Sequence, residues 1–102
     1  MDIQKLTSDV EEISKVYAEK FAITRDADWF VLKLQEEIGE LTQSYLMHKG
    51  RARMKGKSAQ EIKEEFEGEV GDVLCHVLLL AKHFDIDLDA VIERKWFHWK
   101  KT

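Results

Sequence analysis

An all-α fold, built as a four-helix bundle-like protomer, is predicted by three observations on this 102-residue chain. It has no proline, and its five glycines all fall between positions 39 and 71. Helix-forming Glu, Lys, Leu and Ala dominate the composition. Apolar residues recur at three- and four-residue spacing in four successive segments. The first segment spans about residues 3–21, with Leu6, Val10, Ile13, Val16 and Tyr17 on one face. The polar break TRDAD follows, and Asp26 or Asp28 is placed to cap a second helix over 27–48. That helix carries the stripe Phe30, Leu34, Ile38, Leu41 and Tyr45 and stops at Gly50. A third helix over 58–84 opens on a capping box, Ser58 and Glu61. Its stripe is Ile62, Phe66, Val73, Val77 and Leu80. Its second half, VLCHVLLLA, is apolar nearly all round and so predicts burial on more than one side. Asp87 can cap a fourth helix over 88–100, with Val91, Ile92, Trp96, Phe97 and Trp99.

The bulk properties narrow the function. A chain of this length is one domain, residues 1–102, with a limited core, and association into a homodimer or homotetramer is a natural source of further stability. Twenty acids against sixteen bases give a net charge of −4, which argues against nucleic acid as the main partner. The apolar run VLCHVLLLA is too short to span a bilayer, and nothing at the start reads as a signal peptide, so no membrane partner is expected. Cys75 is the single cysteine and forms no internal disulfide, which fits a reducing cytoplasm. The connector KGRARMKGKS is strongly basic, and it reads either as a solvated linker or as a lid or anion-attracting arm over a charged substrate.

The oddity of the sequence is EEIGE, residues 36–40, in the middle of an otherwise regular amphipathic helix. Like charges at helical spacing repel by a few tenths of a kcal/mol, and a mid-helix glycine costs roughly 1 kcal/mol. EGEVGD, residues 67–72, repeats the pattern. At 100° per residue Glu37 falls roughly 60° from the apolar stripe and Glu40 roughly 120°, on one flank. Glu36 lies nearly opposite. On the third helix Glu65, Glu69, Asp72 and His76 line one flank. Gly39 and Gly71 then read as room for a close helix approach, within the site or at a subunit contact. Two adjacent helices would set Glu37 and Glu40 against Glu69 and Asp72. Four carboxylates facing one space repel unless cations lie between them. Oxygen-only ligands select hard ions, Mg²⁺ or Mn²⁺, which also bind substrate phosphates. The competing reading is an ordinary solvated helix face. A di-iron carboxylate site would want Glu-x-x-His pairs, which are absent here, and zinc lacks a ligand cluster.

KLQEEIGELTQSY followed by EGEVGDVLCHVLLLA resembles the all-α nucleotide pyrophosphohydrolases of the MazG superfamily, whose hallmark is E-x-x-E and then E-x-x-D. The resemblance covers about residues 28–95. It implies cleavage of a nucleoside triphosphate between the α and β phosphates, in a dimer or dimer of dimers, with Mg²⁺ held by Glu37, Glu40, Glu69 and Asp72. It also implies that the catalytic carboxylates lie among Glu36, Glu37 and Glu40. Lys33 and Lys95 fall where it suggests basic groups for phosphate, although no asparagine follows Lys95 as in many relatives. Trp29 could stack on a base, as could Trp96 or Trp99, and His76 could face the substrate; packing roles compete for each. DVLCHVLLLAKHFDIDLDAVIERK resembles, in addition, the end of phosphoribosyl-ATP pyrophosphohydrolases, which gives the alternative substrate. The alternative of another class is a non-catalytic helical oligomer or regulatory module.

Overall fold

A computed structural model describes residues 2–101. It contains helices α1 (Ile3–Lys20), α2 (Ala27–His48), α3 (Ala59–His83) and α4 (Leu88–Lys95), then a 3-10 turn over Phe97–Lys101. Among the described residues there is no strand, so the chain is all-α as its periodicity predicts. The starts follow from short polar side chains that accept orphan backbone N–H groups. Asp26 Oδ1 accepts from Trp29 N at 2.8 Å. Ser58 Oγ accepts from Glu61 N at 3.1 Å while Glu61 Oε1 accepts from Ser58 N at 2.8 Å, which completes the capping box. Asp87 Oδ1 accepts from Ala90 N, and Asp2, not foreseen, caps α1 through Gln4 N and Lys5 N.

α2 and α3 form the body of the protein as an antiparallel pair. The partners run in opposite order along the two helices: Phe30 stacks on His83, Glu37 meets His76, and Tyr45 and His48 meet Phe66. The buried residues of α2 are Phe30, Glu37 and Ser44, one every seven positions. That is a narrow, coiled-coil-like seam. On α3 the buried residues are Ile62, Leu78, Leu79 and Ala81, three of them in the VLCHVLLLA run, and α1 packs against α3 as well; Leu74 of that run is about half exposed.

Two parts of the sequence reading change. The α2 stripe drawn through Ile38 and Tyr45 is not the seam: both are exposed, and Glu37 takes the inward position instead. On α1 the exposed residues include Ile13, Val16 and Tyr17, because the helix turns Glu11, Ser14 and Ala18 inward. Arg25 holds that orientation. Its guanidinium donates to both carboxylate oxygens of Glu11 (2.9 and 2.8 Å) and to Ser14 Oγ (3.1 Å), and it lies 5.1 Å from the Phe30 ring centroid. The Arg25 guanidinium beside Glu11 holds that carboxyl below its usual range. We expect Arg25→Ala to cost about 2–4 kcal/mol, read as a lowered urea midpoint. Arg25→Lys should recover only part of it, because an ammonium cannot reproduce the two-pronged pairing.

The protomer is open. Its radius of gyration is 16.3 Å, against about 13 Å for a compact chain of this length. Ile13 and Val16 on α1 and Leu32 on α2 are about two-thirds exposed. The fourth helix ends at Lys95, short of the expected residue 100, and the chain continues as the 3-10 turn. Trp96, Phe97 and Trp99 are exposed there. No helix among the described residues is long and apolar enough to cross a membrane.

Candidate active site

Midway along the α2–α3 seam the packing residues are acids. Glu37 occupies the seam position two turns after Phe30, and Glu69 occupies the facing ridge of α3. Glu37, Glu40 and Glu69 each bring a carboxylate oxygen within 4.8 Å of one another. Three of the four acids singled out by the double motif therefore converge in one place. Asp72, one turn along α3, lies outside that set and is exposed. Its charge still acts on Glu37 and Glu69.

Glu37 is 7 % exposed. Its Oε2 and the Oε2 of Glu69 are buried with no hydrogen-bond partner among the described residues. Leaving an ionised oxygen in that state is costly. The electrostatics register the cost. Burial pushes the Glu37 carboxyl up to about 7, helped by a hydrogen bond with Glu40 and by the charges of Glu40 and Asp72, and opposed by Lys33. Burial also raises Glu69, with Glu40, Asp72 and Glu65 adding to the shift. A cation among these oxygens would relieve both effects, so the donor set fits a hard divalent metal: all-oxygen, clustered, with two acceptors otherwise unused.

The other predicted residues sort by position. Lys33 Nζ is 3.4 Å from Glu36 Oε1 and 3.9 Å from Glu37 Oε1, so it spans the rim and the seam. Glu36 is exposed, at the rim. His76 Nε2 lies 3.6 Å from Glu37 Oε1. Burial, then the charge of Lys33, lowers the His76 pKa, so the ring is neutral at pH 7. The Trp29 ring sits 6.4 Å from the His76 ring, edge-on. Phe30, a core residue by its spacing, also backs this corner: its ring is 5.0 Å from Trp29 and 4.6 Å from His83. Lys95 is exposed on α4, which packs chiefly against the 3-10 turn, and is not among the residues gathered on the seam. Gly39 and Gly71 open onto free space, with nothing within 4 Å of where a Cβ would stand. The close helix approach expected at these glycines is therefore not made among the described residues of the protomer.

A family model described as phosphoribosyl-ATP pyrophosphohydrolase matches residues 6–94, which takes in α2, α3 and every acid of the cluster. Comparison with curated proteins and with solved structures finds no significant match.

Proposed function

We propose a reaction for this chain from the premise that it belongs to the phosphoribosyl-ATP pyrophosphohydrolase family, within the MazG-like all-α superfamily, and is a hydrolase of phosphorus-containing anhydrides. The reaction is hydrolysis of a nucleoside triphosphate at its α–β bridge, giving the monophosphate and pyrophosphate, in a nucleotide-pool role. One observation carries the reading: on a helix seam that should be apolar, the Oε2 atoms of Glu37 and Glu69 are buried beside Glu40 with no hydrogen-bond partner among the described residues.

Glu37, Glu40 and Glu69 would hold Mg²⁺, or Mn²⁺, with Asp72 as the fourth acid at the edge. When bound, the cation neutralises phosphate charge and acidifies water. The chain supplies the rest. Glu36, Glu37 and Glu40 form the carboxylate set from which one group takes the proton of the attacking water. The water oxygen bonds to phosphorus, the bridging P–O bond breaks, and the bridging oxygen leaves with the pyrophosphate. Lys33 stands by Glu36 and Glu37 as a phosphate contact, with Lys95 as a second basic group if α4 is brought near. Trp29 and His76 offer a ring face and an edge for the base. The apolar faces left open on α1 and α2 are surfaces for a second copy, so the working form is a homodimer or homotetramer in the cytoplasm. Sedimentation would read this directly.

The second reading is phosphoribosyl-ATP as substrate, favoured by the description of the matching family model. The DWFVLKLQEEIGEL segment favours the first. A panel of nucleotides with Mg²⁺ separates them: dUTP, dCTP, deaminated and oxidised triphosphates, and phosphoribosyl-ATP, each scored for pyrophosphate. The first reading expects at least one simple triphosphate to be turned over with a higher kcat/KM than phosphoribosyl-ATP. The reverse ranking would replace it with the second.

A further inference from the structure

Between Leu41 and Gln60 the chain has no acid, yet it carries Lys49, Arg51, Arg53, Lys55 and Lys57. These cations lie on the connection from α2 to α3, at the end of the seam away from Trp29 and His76. We propose that this loop is the site's docking element for the terminal, leaving phosphates, so that a nucleotide lies along the seam with its base toward Trp29 and its triphosphate tail toward the loop. The proposal rests on the pyrophosphohydrolase reading.

The antiparallel pairing fixes the order of features. Trp29 precedes Glu37 by two helical turns, about 12 Å by the rise of an α-helix. Lys49 follows Glu40 by nine residues, about 13 Å. An aromatic end, an acid centre and a basic end therefore follow one another along a single seam. That order is the order of base, scissile phosphates and terminal phosphates; the backbone intervals exceed a nucleotide's length, so the long lysine and arginine side chains of the loop, rather than its backbone, make the phosphate contact. The charges on the loop are unspent. Among the described residues only Lys57 of the five is paired, with Glu65. An array of unpaired cations costs self-repulsion, and a polyanion removes it.

The loop's backbone is built to stand clear of the helices. Gly50 (φ 72°) ends α2, and Arg51 N returns to Leu46 O at 2.8 Å. Lys55 (φ 54°) and Gly56 (φ 76°) are successive left-handed residues in a turn closed by Lys57 N to Met54 O at 3.0 Å. Beneath it is a cleft of about 370 Å³ lined in part by Met47, His48, Met54 and Ile62, so the loop is not packed down. Phosphate contacts here are charge-based and common to every triphosphate. The loop thus acts on affinity and leaves base selection to the Trp29 end.

The test is the triple variant Arg51→Gln/Arg53→Gln/Lys55→Gln beside Arg51→Lys/Arg53→Lys, with kinetics on the best triphosphate and calorimetry with Mg²⁺ and inorganic pyrophosphate. The Gln variant should raise KM and weaken pyrophosphate binding roughly ten- to a hundredfold, flatten the salt dependence of kcat/KM, and change kcat by much less. The Lys variant should retain most of the affinity, and both should melt as wild type does. Loss of pyrophosphate binding in a protein that hydrolyses no nucleotide would uphold the loop's role and remove the enzymatic reading. Normal hydrolysis with KM, pyrophosphate affinity and salt slope all unchanged in the Gln variant would overturn the loop's role alone. Absence of pyrophosphate binding in wild type would overturn it as well. So would binding of a single-stranded oligonucleotide that the Gln variant loses while pyrophosphate affinity is unchanged.

Discussion

Glu69→Gln is expected to lower pyrophosphate release by on the order of a thousandfold, the equivalent of several kcal/mol of lost charge stabilisation. The same change should abolish any rise in melting temperature on adding Mg²⁺. The fold should survive, because an amide of the same shape replaces a carboxylate whose Oε2 has no hydrogen-bond partner among the described residues. Glu37→Gln should behave alike in activity and go further in stability. It removes a buried acid that is hard to ionise, so the metal-free protein should become more stable at pH 8 by on the order of 1–3 kcal/mol. Activity and metal-free stability moving in opposite directions is the signature of a site held at the expense of the fold. Equal losses of both would mark these acids as structural. Activity assays beside urea titrations of the metal-free variants distinguish the two outcomes.

The second large effect is on pH. Glu37 has a folded pKa of about 7 against an ordinary 4.5, and Glu69 is raised as well. Between the unfolded and folded pKa values the folded state holds more protons than the unfolded one. The stability this contributes is complete below about pH 4.5 and is lost as pH rises through about 7. Metal-free protein should therefore lose on the order of 2–3 kcal/mol between pH 5 and pH 8. His76 works in the other direction. Its folded pKa lies below 6.5, so its contribution grows as pH rises toward 6.5 and offsets part of the loss on the acid side. Metal binding must displace the protons of the raised acids, so Mg²⁺ should stabilise more strongly at pH 8 than at pH 5.5. Urea titrations at both pH values, with EDTA and with Mg²⁺, check this. A flat metal-free profile would mean that the acids are solvated.

Much of this is readable from sequence because local signals are strong where they occur. Asp26 and Gly50 bound α2 to the residue, and Ser58 with Glu61 marks the start of α3. The end of α4 was not legible: Trp96, Phe97 and Trp99 keep helical spacing, and nothing in the pattern says that the helix gives way to a 3-10 turn after Lys95. The turns after α1 and α3 also lack their usual mark, since Ala22 and Asp85 take the left-handed position that glycine would signal. At the site, the motif gathers Glu37, Glu40 and Glu69, but the seam is rotated away from the stripe that the apolar spacing marks. Ile38 and Tyr45 are only partly covered, although the Tyr45 ring touches Phe66 of α3, and a single sequence cannot tell such a half-covered apolar face from the one that packs inside the protomer. Only the packing of α2 on α3 places Glu37 in the seam.

The most direct measurement is product analysis of the nucleotide turned over best, with Mg²⁺, with EDTA, and with Glu69→Gln. The account predicts monophosphate and pyrophosphate in equal amounts with Mg²⁺, and neither with EDTA nor with the variant. Release of orthophosphate, or pyrophosphate release that persists in EDTA and in Glu69→Gln, would contradict it.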